Sequence, residues 1–152
     1  MNESPSHLES EIGALAGAYA ALNRGDVAGF VACFDPQIER VEPADFPLAG
    51  THRRIEAVTA HVAHGRGTWA EGTCEPQRFI AASDRVVVIF QVRVRLKTAA
   101  DWIEGRAADV FTFRNGQATE YRTFAHPRDA LAFAGVDGTD ADCDFGTCVG
   151  QR

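Results

Sequence analysis

No run of apolar residues approaches the roughly 18 that a membrane-spanning helix needs, so no membrane partner is expected. The opening stretch, MNESPSHLESEIG, lacks the basic start and apolar centre of a secretory signal, and the expected address is cytoplasmic. The four cysteines, Cys33, Cys74, Cys143 and Cys148, contain no CxxC pair, which argues against zinc-ribbon and thioredoxin-type centres. Four thiols are expected, with Cys143 and Cys148 able to pair on oxidation. Positive charge is in short supply. Lys and Arg number 15 against 21 Asp and Glu, a net charge of −6, so nucleic acid is not an expected partner. A small neutral or cationic partner is easier to accommodate. There are no internal repeats. What is present, 45% hydrophobic and 24% charged residues over 152 positions, suits one globular domain.

Residues 1–136 read as that domain. Ser6-His7-Leu8-Glu9 has capping-box spacing after Pro5, and Leu8, Ile12, Leu15, Tyr19 and Leu22 form one stripe of an amphipathic helix that Gly25 ends. Asp26 caps a short second helix with Val27, Phe30, Val31 and Phe34 on its apolar face, stopped by Asp35-Pro36. Residues 37–42 form a strand with Ile38, Arg40 and Glu42 on one face. Phe46 and Leu48 give the following loop something to pack. A third helix is expected over Thr51–His64, with Ile55, Val58, Thr59 and Val62 inward and Gly65 and Gly67 releasing the chain. Strands are expected over Trp69–Ala82, Arg85–Lys97, Trp102–Arg114 and Gln117–Ala125, then a short helix over Pro127–Phe133. Helices grouped ahead of an antiparallel meander indicate an α+β fold, a curved antiparallel sheet wrapped around helices to form a cone with an interior pocket. Residues 137–152 carry four Asp and one Arg and read as a flexible acidic tail.

Asp109 is the most informative residue. Alternation places it with Ile103, Gly105, Ala107, Phe111 and Phe113, the single charge on an otherwise apolar face. Such a carboxylate gains a partner or a raised pKa. A neutral carboxylic acid in an apolar pocket can donate a hydrogen bond to a substrate oxygen. The plainer reading is a buried Asp satisfied by nearby hydroxyls or backbone. Its cross-strand partner depends on the hairpin at Asn115-Gly116. A two-residue turn pairs Arg114 with Gln117 and sets Arg122 against Asp109. A three-residue loop pairs Phe113 with Gln117 and sets Tyr121 against Asp109 and Thr123 against Ala107.

The segments YAALNRGDVAGFVACF, IERVEP, PLAGTHRRIEAVTAHV and ADVFTFRNGQATEYRTFAHPRDAL, in that order and spacing, cover most of residues 15–133. Together they resemble the SnoaL-like branch of the nuclear-transport-factor-2-like superfamily, which includes ketosteroid isomerases, polyketide cyclases and limonene epoxide hydrolases. The resemblance implies a curved sheet enclosing a pocket and a homodimer through the outer sheet face. Set against ketosteroid isomerase, Glu42 falls at the general base and Asp109 at the protonated aspartic acid that serves as oxyanion donor. The oxyanion tyrosine falls on Ala18, with Tyr19 next along, about 100° around the helix. Set against limonene epoxide hydrolase, the water-activating residues fall on Val92, Val94 and Thr123, which cannot perform that chemistry. The same comparison favours the three-residue loop, with Tyr121 and Thr123 inward. Polyketide cyclases, which need no cofactor, use an acid/base where Asp109 stands.

The expected site is therefore Asp109 and Glu42 as the catalytic pair, with Tyr19, Tyr121, Thr123, His61, Phe111, Val92 and Val94 around a small hydrophobic ligand. No cofactor or metal is expected. His61 and His64 lie three apart on the third helix, and His61 is placed at the cavity mouth. His126 is placed at the pocket rim, Trp69 and Trp102 in packing, and Arg93 and Arg95 on the dimer face. Nothing puts a base beside Cys74. Two functions stand against each other: a cofactor-independent cyclase or isomerase of a hydrophobic carbonyl compound, and a non-catalytic binding or interaction domain.

Overall fold

A computed structural model of the chain describes residues 5–44, 46 and 49–136, the side chains of 5–7 excepted. The expected cap at Ser6, the packing of Leu48, the acidic tail and the pairing of Cys143 with Cys148 lie outside the described residues.

Helix α1 (Pro5–Asn23) leads through a turn to α2 (Val27–Phe30) and a 3-10 turn (Val31–Cys33). Asp26 caps α2 as expected, accepting from the Gly29 N–H at 3.0 Å. The chain is already extended at Phe34, so Asp35-Pro36 does not separate helix from strand but lies inside β1 (Phe34–Glu42). A short strand, β2 (Gly50–Arg53), comes next, most of it in a stretch expected to be helix. It pairs antiparallel with β1, setting His52 against Arg40 and Gly50 against Glu42. Arg54 turns the chain at φ 78°, and α3 (Ile55–Gly67) starts four residues later than expected and runs through Gly65. The meander is as expected: β3 (Trp69–Ala82), β4 (Arg85–Leu96), β5 (Trp102–Arg114) and β6 (Gln117–Phe124), closed by α4 (Pro127–Ala134).

The six strands form one curved sheet in the order β2-β1-β6-β5-β4-β3. Every neighbouring pair is antiparallel except β1 and β6, which run parallel. Alternation in β4 decides the two faces. Val86, Val88 and Phe90 turn to the concave side and join Leu15, Tyr19, Phe30, Phe34, Ile38, Val58 and Phe111 in the main core. Val87 and Ile89 turn outward, where Ala130 and Leu131 of α4 cover them together with Ala108 and Val110. Fully burying one such side chain contributes about 1.5–3 kcal/mol, so α4 is an integral part of the domain. Beyond α4 the outer face is polar. Arg93 pairs with Glu104 at 2.8 Å and lies over the Trp102 ring, and Arg95 pairs with Glu71 at 3.0 Å. Trp102, expected in packing, and Ile103, expected on the apolar face, are 37% and 47% exposed at the start of β5.

The hairpin register is neither of the two expected. The turn has two residues, Asn115 (φ 55°) and Gly116 (φ 82°), both in the left-handed region that a type I′ turn requires, and Arg114 pairs with Gln117. A bulge at Thr119 then takes up one residue. Beyond it Phe111 faces Tyr121 and Asp109 faces Thr123. The bulge reconciles the turn chemistry of one expected register with the inward side chains of the other.

Candidate active site

Asp109 is 2% exposed, on the concave face. The Thr123 hydroxyl donates to its Oδ1 at 2.6 Å, and the Tyr19 hydroxyl donates to its Oδ2. Thr123 arrives by cross-strand register. Tyr19 arrives because it belongs to the inward stripe of α1, so it is Tyr19, not the Ala18 position, that brings a phenol to the carboxyl. Arg122, the alternative partner, turns to the outer face and pairs with Glu120 at 2.7 Å. Burial holds the Asp109 carboxyl above its ordinary value, against the opposing pull of the Arg40 charge and of the Thr123 and Tyr19 hydrogen bonds. Burial, reinforced by the Asp109 charge, also holds the Tyr19 phenol well above its usual range.

Phe111 and Tyr121 stack with centroids 4.8 Å apart and planes 11° apart. On Tyr121's other side the Arg40 guanidinium lies 3.8 Å from the ring centroid. This ladder crosses β5, β6 and β1 along the pairings Phe111–Tyr121 and Tyr121–Arg40. Arg40 is 4% exposed. Its Nη1 donates to the carbonyls of Val41 and Tyr121, and its Nη2 to Glu42 Oε2 at 2.9 Å. The guanidinium is thus compensated at Nη1, at Nη2 and on the face that meets the Tyr121 ring.

Glu42 is half-buried, and burial raises its pKa, helped by the Asp109 charge and opposed by Arg40 and His52. Its Oε1 lies 3.4 Å from His61 Nε2. His61 stacks on His52 at 4.0 Å. Burial, with the nearby Arg40 charge, lowers His61 to about 4, so the ring is neutral at pH 7. Arg40 Nε, Glu42 Oε1 and His52 Nε2 are buried without a hydrogen-bond partner among the described residues, each at a desolvation cost of about 1–3 kcal/mol.

The structure thus brings together Asp109, Tyr19, Thr123, Phe111 and Tyr121, and beside them Glu42 and His61. It does not bring Val92 or Val94. Both share the strand parity of Val88, but Val88 is the residue opposite Asp109. At strand rise Val92 and Val94 lie about 14 and 20 Å further along β4. His64, expected beside His61, is exposed. Burial raises the Cys74 thiol to about 12, which leaves it a poor nucleophile. Arg40 and His52 do not stand out as site residues in the sequence. The clue to Arg40 is its place between Ile38 and Glu42 on one strand face. His52 gives none, because its segment reads as helix.

A cavity of about 330 Å³ opens beside the end of β6, lined by Val41, Pro43, Arg122, Thr123, Phe124, Ala125, His126 and Asp129. His126 lines this cavity, not the interior pocket around Asp109 at whose rim it was expected. Of the predicted ligand-contacting residues the cavity touches Thr123 alone.

Comparison with known proteins agrees with this fold. The SnoaL-like domain matches residues 15–121. An uncharacterised protein of Mycobacterium tuberculosis is 28% identical over 109 residues, 70% of this chain and 81% of that protein. An NTF2-like protein from Burkholderia xenovorans is 30% identical, covers 83% of this chain and 95% of its own, and superposes with a TM-score of 0.65. TerC, crystallised with polyporic acid, is 25% identical, covers 84% of this chain and 97% of its own, and superposes with a TM-score of 0.67. By its match to the family model over residues 15–121, the chain belongs to the SnoaL-like domain family of the nuclear-transport-factor-2-like fold.

Proposed function

We propose that the protein is a cofactor-independent acid/base enzyme, a cyclase or isomerase, acting on a small hydrophobic carbonyl compound such as a polyketide-like intermediate. The observation that carries this reading is the environment of Asp109: a buried carboxyl in an aromatic wall, contacted by two hydroxyls and, among the described residues, by no cation. In its neutral form it donates to a carbonyl oxygen, with Tyr19 as a second donor. Glu42, whose pKa burial raises, takes the α-proton. The electrons of that C–H bond move to the carbonyl oxygen as an enolate, which the Asp109 and Tyr19 donors hold until the proton returns at another carbon, or until the enolate carbon attacks a second carbonyl carbon of the ligand, whose C=O π electrons move to its oxygen and take the proton from Glu42. The likeness to TerC, crystallised with polyporic acid, supports an organic ligand of this kind. A homodimer through the outer sheet face and a cytoplasmic setting belong to the same proposal.

The test is deuterium uptake at the α-carbon of apolar 1,3-dicarbonyl compounds such as benzoylacetone, followed by NMR. Wild type accelerates uptake, Glu42→Gln and Asp109→Leu lose at least about 100-fold, and Tyr19→Phe loses less. A second reading, a non-catalytic small-molecule-binding or interaction domain, is favoured by one observation: Asp109 is 2% exposed with both oxygens already engaged. Saturable binding of the dicarbonyl with no α-exchange decides for that reading.

A further inference from the structure

The chemistry proposed above uses only Glu42 of the group Arg40, Glu42, His52 and His61. Three buried atoms of this group have no hydrogen-bond partner among the described residues: Arg40 Nε, Glu42 Oε1 and His52 Nε2. Sheet register gathers them. Arg40 and His52 are direct cross-strand partners, with Cβ atoms roughly 5 Å apart. Glu42 lies two residues on from Arg40, on the same face. His61 closes the group from α3, stacked on His52 and 3.4 Å from Glu42 Oε1. Native folds rarely leave one such atom unsatisfied, and three in one patch call for a partner beyond the described residues.

The donor set restricts what that partner is. Arg40 Nε–H is a charged donor, Glu42 Oε1 an anionic acceptor, and the His52 nitrogen serves as either. A carboxylate ligand satisfies Arg40 but meets Glu42 as a like charge, and an amine does the reverse. A hydroxyl satisfies both: its oxygen accepts from Arg40 and its hydrogen goes to Glu42 or His52. We propose that this cluster binds a phenolic or enolic hydroxyl of the ligand whose carbonyl oxygen meets Asp109. The inference rests on the carbonyl-binding role given to Asp109 and narrows the substrate class to hydroxylated aromatic ketones and enolised dicarbonyls.

The test compares acetophenone with 3- and 4-hydroxyacetophenone, which share the carbonyl and differ by one hydroxyl, titrated against the full chain at pH 7 by calorimetry. At least one hydroxy compound binds about tenfold more tightly than acetophenone, the worth of one charge-assisted hydrogen bond. The preference falls within twofold in His52→Phe, which keeps the ring stack, and in Glu42→Gln. If His52→Phe fails to fold, the near-isosteric Glu42→Gln decides. Equal binding of all three ketones, no binding of any, or a preference that survives Glu42→Gln overturns the proposal. Binding is read without turnover. Hydroxyl preference without α-exchange therefore overturns the acid/base reading alone, and α-exchange without hydroxyl preference overturns this one alone.

Discussion

The Tyr19 hydroxyl and the Asp109 carboxylate meet across 90 residues of sequence, one from the inward stripe of the first helix and one from the middle of a buried strand. They meet in an aromatic enclosure in which Thr123 is the carboxyl's other hydroxyl partner, and the protonation states of Tyr19 and Asp109 are linked.

Replacing Asp109 separates chemistry from stability. Asp109→Asn keeps an acceptor for one hydroxyl and donates to the other, so stability changes by about 1 kcal/mol or less while proton transfer by this group is lost. Asp109→Leu relieves the buried carboxyl but leaves Tyr19 and Thr123 unpaired, and the two effects offset to within about 2 kcal/mol. Urea unfolding of both variants checks these values. The folded-state pKa is raised above the ordinary 3.8. The stabilisation linked to Asp109 is therefore complete below about pH 3.8 and lost as pH rises through the folded value. The stability difference between Asp109→Asn and wild type should shift in favour of Asn as pH increases over that range.

His61 titrates with the opposite sign. Its folded value, about 4, lies below the ordinary 6.5, so its contribution is complete above 6.5 and lost as pH falls towards 4. The loss should be roughly 1–3 kcal/mol, trimmed by the nearby Glu42 carboxylate. His61→Phe should flatten the stability profile between pH 6.5 and 4, measured by denaturant midpoints. An unchanged profile would show that the ring is solvated.

The outer face gives an assembly prediction. Trp102 under Arg93, with the Glu104 and Glu71 pairs around it, is a polar-rimmed aromatic patch in the position expected for a dimer contact. Sedimentation at micromolar concentration should give a species of about twice 16.4 kDa, and Trp102→Glu should shift it to monomer. A wild-type monomer at that concentration would remove the assignment.

Truncation should distinguish α4 from the residues after Val136. A chain ending at Val136 should melt within a few degrees of the full chain. A chain ending before Pro127 exposes Val87 and Ile89, and the single change Leu131→Ala should cost about 2–4 kcal/mol. A drop of more than about 10 °C for the chain ending at Val136 would show that residues 137–152 are packed.

The parts legible in the sequence are those where local signals agree. β3, β4 and β5 combine long alternation with turn residues at Ser83-Asp84 and Asn115-Gly116, and their bounds match to within a residue. β2 is hidden because Gly50–Arg53 has four residues and no alternation, and exists through its pairing with β1. The register at Asp109 is hidden because the turn and the inward side chains differ in phase by one residue, which only the bulge at Thr119 absorbs. In the site, Asp109 is legible as a charge among apolar neighbours, and Tyr19 as part of a helical stripe. Arg40 and His52 are not, because their burial comes from tertiary pairing across a strand with no local signal.

The parallel pairing of β1 with β6 also sets an order of events. The meander joins neighbours in sequence through short turns, whereas Arg40 reaches Tyr121 across 81 residues. Closing that span costs chain entropy before any contact repays it, so β1 should dock after β3–β6 have formed. Asp109 and Thr123 then belong to the early structure, and Arg40, Glu42 and His52 to the late one. A ligand bridging the two groups should slow the unfolding limb of a chevron and leave the folding limb nearly unchanged, because it ties down contacts the transition state has yet to make.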